Sequence, residues 1–134
     1  VEQHSNYKAS GIKQRIGAFG YFASSEDDMS DEDIQREKYY VAVQSFLAPQ
    51  WDGSGMQYKA WIKYRKVMVI NPTNGKAVVA SVGDAGPAVW TGKQFGGSPE
   101  VVHELNNGNY SHKTPVLLFF IDDKENAVPL GPIN

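Results

Sequence analysis

The chain has no cysteine among its 134 residues, which excludes disulfides, thiolate nucleophiles, thiolate zinc sites and iron–sulfur clusters. That absence leaves the compartment open, because a reducing cytosol and a bacterial export route without disulfides both fit it. No apolar run approaches the roughly 18 residues that suggest a membrane span. The three histidines do not form a metal pattern. His103 lies in Val102-His103-Glu104-Leu105 without the second histidine of HExxH, while His4 and His112 lie in loop-like stretches. Neither a nucleophile elbow nor a P-loop is present; the glycines of Asp52-Gly53-Ser54-Gly55 and Gly96-Gly97-Ser98 match neither. A formal net charge of −2 lacks the basic footprint that phosphate binding leaves, which argues against nucleic acid.

What remains is an ordinary globular composition, 41% hydrophobic and 21% charged, at a length that buries one core without staples. Residues 1–11 read as a flexible lead-in and 12–134 as a single domain. The start at Val1 rather than Met fits the removal of a signal peptide or anchor, the expectation for a periplasmic or extracellular protein of the kind that the resemblance below implies. Ile12 to Phe22 reads as a first strand, weakened by Gly17 and Gly20. Glu26 to Asp33 holds six acids in eight positions but lacks the Gly and Glu of a calcium loop. Ser30, with Asp33 three residues on and Met29 paired to Ile34, instead predicts a capped helix from Asp31 to about Lys38.

Tyr39 to Leu47 reads as a strand and Ala48 to Gln57 as a loop. Tyr58 to Lys66 also reads as a strand, with Lys59, Trp61, Lys63 and Arg65 on one face. That face suits a sugar-stacking or nucleic-acid platform, or simply an exposed face where charged stems cover Trp61. Val67 to Ile70 and Ala77 to Val82 form a hairpin around the Asn74-Gly75 turn. The second strand runs into Asp84, flanked by Gly83 and Gly86 and followed by Pro87, Trp90 and Thr91. Asp84 there is either a site carboxylate or a side chain that locks a turn. Ser98-Pro99-Glu100 opens a second short helix that ends near Asn106. Pro115 to Ile121 is continuously apolar and predicts a strand buried on both faces. About six strands and two short helices point to a mainly β fold, a small closed barrel.

Several motifs in order from Val69 to Leu105 sharpen this. Val69-Ile70-Asn71-Pro72-Thr73-Asn74-Gly75-Lys76-Ala77-Val78, then Asp84-Ala85-Gly86-Pro87, Thr91-Gly92-Lys93 and Ser98-Pro99-Glu100 to Leu105 resemble the double-psi β-barrel of the rare lipoprotein A, expansin and barwin group. Gly17-Ala18-Phe19-Gly20-Tyr21 is similar to that group's glycine-aromatic first strand. The resemblance implies a six-stranded double-psi β-barrel that acts on or binds cell-wall glycan, with neither cofactor nor metal. Asp84 matches the acid of the group's Asp-Arg-Gly-Pro motif. A lytic transglycosylase would use it as the general acid; it needs no second carboxylate, because a substrate hydroxyl can be the nucleophile. The group's second acid is absent from Gly96-Gly97-Ser98, its histidine falls nearest Gln44, and Ala85 replaces its arginine. The expected function is therefore peptidoglycan binding. Trp90, Trp61 and Tyr64 would stack on sugars, Asp84 and Gln44 would bond hydroxyls, and Ser98 would orient substrate. Transglycosylase activity and a scaffold role with a degenerate site are the alternatives.

Overall fold

The computed structural model describes residues 30–51, 55–108 and 115–133. The expected first strand at 12–22 and Met29 of the expected staple lie outside the described residues. Ser30 caps helix α1 (Asp31–Lys38) as its spacing predicts. Its hydroxyl accepts the Asp33 N–H and the Asp33 carboxylate accepts the Ser30 N–H, which satisfies two orphan donors at the helix start. The Ser30 N–H foremost, and then the Ser30 hydroxyl that also donates to this carboxylate, hold the Asp33 carboxyl below its ordinary value of 3.8.

The strands are β1 (Tyr40–Val43), β2 (Lys66–Ile70), β3 (Ala77–Ala85), β4 (Phe95–Gly97), β5 (Leu117–Phe120) and β6 (Gly131–Ile133). They make one mixed six-stranded sheet in the order β4-β1-β3-β2-β5, with β6 also on β3. The sheet curls into a half-barrel. β3 is its spine. β2 runs antiparallel along one edge from Ala77 to Ser81, while β6 and then β1 share the other edge. β1 is parallel to β3; the remaining pairs are antiparallel.

Alternation on the strands sets the core. Val67 pairs with Ala80 and Val69 with Val78, so these four share the face that Val41 and Val82 also join. Helix α3 (Pro99–Leu105) covers that face with Val101 and Leu105, one helical turn apart and essentially fully buried. Its cap is Ser98, whose hydroxyl accepts the Val101 N–H. The β2–β3 turn is tied to the other end of α3. Asn71 and Asn74 both donate side-chain N–H groups to the Leu105 carbonyl, at 2.8 and 2.9 Å. Gly75 takes the positive φ of 76° that this turn requires.

Four expectations change. Tyr58 to Ile62 is not strand but part of helix α2 (Gly55–Ile62). Tyr58, Trp61, Ile62 and Arg65 fall at i, i+3, i+4 and i+7, a helical spacing that competed with the charged alternation read as strand. Strand β1 stops at Val43, and Ser45–Leu47 forms a 3₁₀ turn instead. Strand β5 is not buried on both faces: Leu117, Phe119 and Phe120 are about half exposed, because β5 lies at the end of the strand order. Asp122 to Asn134, which reads as an irregular tail from its Pro129, Gly131 and Pro132, instead contains β6, which pairs with β3. The described strands also differ in membership from the expected six, with β4 and β6 added.

Candidate functional site

The parallel pair of β1 and β3 positions Asp84. Val41 pairs with Val82 but Ala42 pairs with Asp84, so Gly83 is the extra residue of a bulge. The shift puts Asp84 in one row with Ala42 and Gly96, between two rows that pack on the core. Gly96 offers no side chain there, and the Asp84 side chain is partly buried. Its Oδ1 accepts the Ala85 N–H at 2.7 Å. The bond is to the next residue within β3, one position short of the N–H that an Asx turn uses.

Gln44 follows β1 directly and acts as a clamp. Its Nε2 donates to the carbonyls of Pro87 and Lys93, both at 2.9 Å, and so pins the two feet of the intervening loop. The Gly86 N–H donates to the Val43 carbonyl at 3.0 Å, which anchors the same loop to β1. Inside the loop, Val89–Thr91 makes a 3₁₀ turn and the Thr91 hydroxyl donates to the Ala88 carbonyl. Gly92 reverses the chain at φ 72°. Trp90 stands on top of this turn, 88% exposed. Asp84, Gln44 and Trp90 thus gather at one end of the β1–β3 pair.

Trp61 and Tyr64 belong to another region. Trp61, 44% exposed, is stacked on Tyr58 with centroids 6.3 Å apart, lies 5.3 Å from Phe120, and carries the Arg65 guanidinium 4.1 Å from its ring. Tyr64 sits at φ 59°, where the chain turns from α2 into β2, and its N–H donates to the Val82 carbonyl. Arg36 and Lys63 lie 4.6 and 4.9 Å from its ring. Burial, more than the nearby charges, raises the Tyr64 hydroxyl above its ordinary 10.0. Ring faces already occupied by cations are poor platforms for sugars. Ser98 is in neither place. It is fully buried, and its hydroxyl donates to the Lys38 carbonyl, so it joins α3 to α1 rather than facing a ligand.

Sequence reasoning missed Lys66. Its ammonium donates to Asp123 and Asn126, each at 2.7 Å, and to the Val128 carbonyl. Asp123 also accepts the Ala127 and Val128 N–H groups, which folds residues 123–128 into a compact turn. The Lys66 bond, with those N–H groups, lowers the Asp123 carboxyl to about 2. Two clefts flank this hub. One, of 440 Å³, lies between α1, Tyr64, Ser81 and residues 126–130; the other, of 250 Å³, lies between the end of α2 and residues 121–126. A lysine after an arginine and before a β-branched run gave no signal, since its partners lie 57 and more positions away.

Among the described residues no group of three His, Asp or Glu is placed to hold a metal ion, and no helix is long and apolar enough to cross a membrane. The fold and site define a small β-rich domain with a clamped aromatic loop at one sheet end. No protein-family model, curated protein or solved structure matches the chain.

Proposed function

We propose that this domain binds cell-wall polysaccharide, in the first place peptidoglycan glycan strands, through the loop that carries Trp90. The observation behind this reading is the combination of exposure and restraint. An indole that is 88% exposed on a loop pinned at both feet by Gln44 loses little conformational entropy when a sugar ring stacks on it. Asp84 at the foot of the same loop would accept a sugar hydroxyl. The motif order from Val69 to Leu105 supports a double-psi barrel of the rare lipoprotein A and expansin kind, acting in the periplasm or outside the cell. Lytic transglycosylase activity with Asp84 as acid is the second reading, favoured by the partly buried setting of that carboxylate.

Pelleting with purified peptidoglycan tests both. The wild-type chain should sediment, and Trp90→Ala should lose binding by about tenfold or more, the scale of a central aromatic contact. Anhydro-sugar fragments that vanish in Asp84→Asn would make the protein a transglycosylase. The absence of both sedimentation and fragments would reject the glycan reading and leave the scaffold role, for which half-exposed Leu117, Phe119 and Phe120 offer a surface.

A further inference from the structure

The end of α2 carries a second surface with a different chemistry. The 250 Å³ cleft there is lined by Lys63, Arg65, Lys66 and Lys124 against Asp122 and Asp123, four cations facing two carboxylates, which leaves two positive charges. The chain as a whole carries −2, so this excess is local. Lys66 is committed to Asp123, whereas Lys63, Arg65 and Lys124 form no ion pair among the described residues. Arg65 is also held in place. Its Nε donates to the Trp61 carbonyl at 2.8 Å and its guanidinium carbon lies over the Trp61 ring, 4.1 Å from the centroid. That bond fixes the guanidinium and leaves its terminal nitrogens to grip a planar anion with two parallel bonds.

We infer that this surface binds the carboxylate groups of an acidic polysaccharide. The cleft is smaller than the roughly 300–1,000 Å³ of pockets that enclose a whole small molecule, so it suits a charged substituent of a longer chain. Single-stranded nucleic acid is the weaker fit. Its binders leave aromatic faces open for bases, whereas here Arg65 lies over Trp61 and Arg36 and Lys63 lie over Tyr64. Recognition therefore runs through charges mounted on the rings and not through stacking. The inference does not depend on the Trp90 loop, which lies on other elements.

Polygalacturonate and its fully methyl-esterified form share a backbone and differ in charge, so they isolate this contact. Affinity electrophoresis should show binding to the acid form, weakened by added salt, and about tenfold weaker binding by Lys63→Gln/Arg65→Gln. Arg65→Lys should recover part of the loss, since it keeps the charge but not the fork. Both sites are at the surface, and an unchanged thermal melt would show that the double variant is folded. Trp90→Ala should bind the acid polymer like wild type, which separates this surface from the peptidoglycan loop. Equal retardation by the acid and ester forms, no retardation by the acid form, or tighter binding to oligo-dT than to polygalacturonate would each overturn the inference.

Discussion

The two exposed tryptophans of the sheet ends are built in opposite ways. Trp61 is embedded in a run of rings, with Trp51 edge-on to Tyr58, Tyr58 stacked on Trp61 and Phe120 beside it, and with Arg65 over its face. Trp90 has a braced backbone and a bare side chain. In the first case the aromatic surface is spent on the fold, and in the second it is kept for something outside. The pair shows that aromatic residues near a polar patch are not equivalent candidates for a site. What separates them is whether the ring or only the backbone beneath it is held.

Alanine at each position should divide stability from binding. Trp61→Ala removes contacts to Tyr58, Phe120 and Arg65 and should lower unfolding free energy by about 2 kcal/mol, below the 3–5 expected of a fully buried indole. Trp90→Ala should stay within about 0.5 kcal/mol of wild type, as surface changes do, while losing peptidoglycan binding. Urea unfolding of both variants checks this. A Trp90→Ala chain as destabilised as Trp61→Ala would erase the contrast and the reading built on it.

Local signals carried the half of the fold that local chemistry controls. The Ser30 and Ser98 caps, the Asn-Gly hairpin and the Val-rich strands β2 and β3 were legible, because each depends on residues a few positions apart. Helix α2 was misread because its sequence satisfies two periods at once, and only Ile62 reaching the core selects the helical one. Strand β5 was misread because apolarity reports composition and not place: the same residues serve an edge as well as a centre. At the site, Asp84 and Trp90 were found as a strand end followed by an aromatic loop. Gln44 stands out in the sequence only through the resemblance to the rare lipoprotein A group, and its work as the clamp of the loop depends on carbonyls 43 and 49 positions away. The bulge at Gly83 that sets the row of Asp84 is equally a property of the β1–β3 register.

Gln44 is the next point at which the contrast can be broken. Gln44→Ala deletes both bonds to the feet of the Trp90 loop, and at about 1 kcal/mol per bond the cost should be near 2 kcal/mol at most. Binding should fall alongside, because an indole on a loose loop must be ordered by the ligand. Gln44→Glu is the sharper variant. It keeps the volume but replaces the donor with an anion facing two carbonyls, so it should bind glycan more weakly than Gln44→Ala. Hydrogen exchange at Gly92 and Lys93 would report the loosening directly. Unchanged exchange in either variant would mean that the loop is held without the clamp.

The smallest effect belongs to the other end, where the Lys66–Asp123 hub braces residues 123–128 beneath the cationic surface. The Asp123 carboxyl titrates at about 2 in the folded chain against an ordinary 3.8. A depressed folded value means that the unfolded chain binds the proton first as pH falls. The stabilisation is therefore complete above 3.8 and is lost progressively as the pH drops from there to about 2. In Asp123→Asn that share of the acid sensitivity should disappear, so its melting temperature should fall less steeply over this window even though it starts lower at neutral pH. Asp33, also depressed, titrates in both chains and cancels in the difference. The Trp90 loop gives the internal control, for Trp90→Ala should reproduce the wild-type slope. Parallel wild-type and Asp123→Asn curves would show that the Lys66 bond stiffens the turn without contributing to the pH dependence of folding.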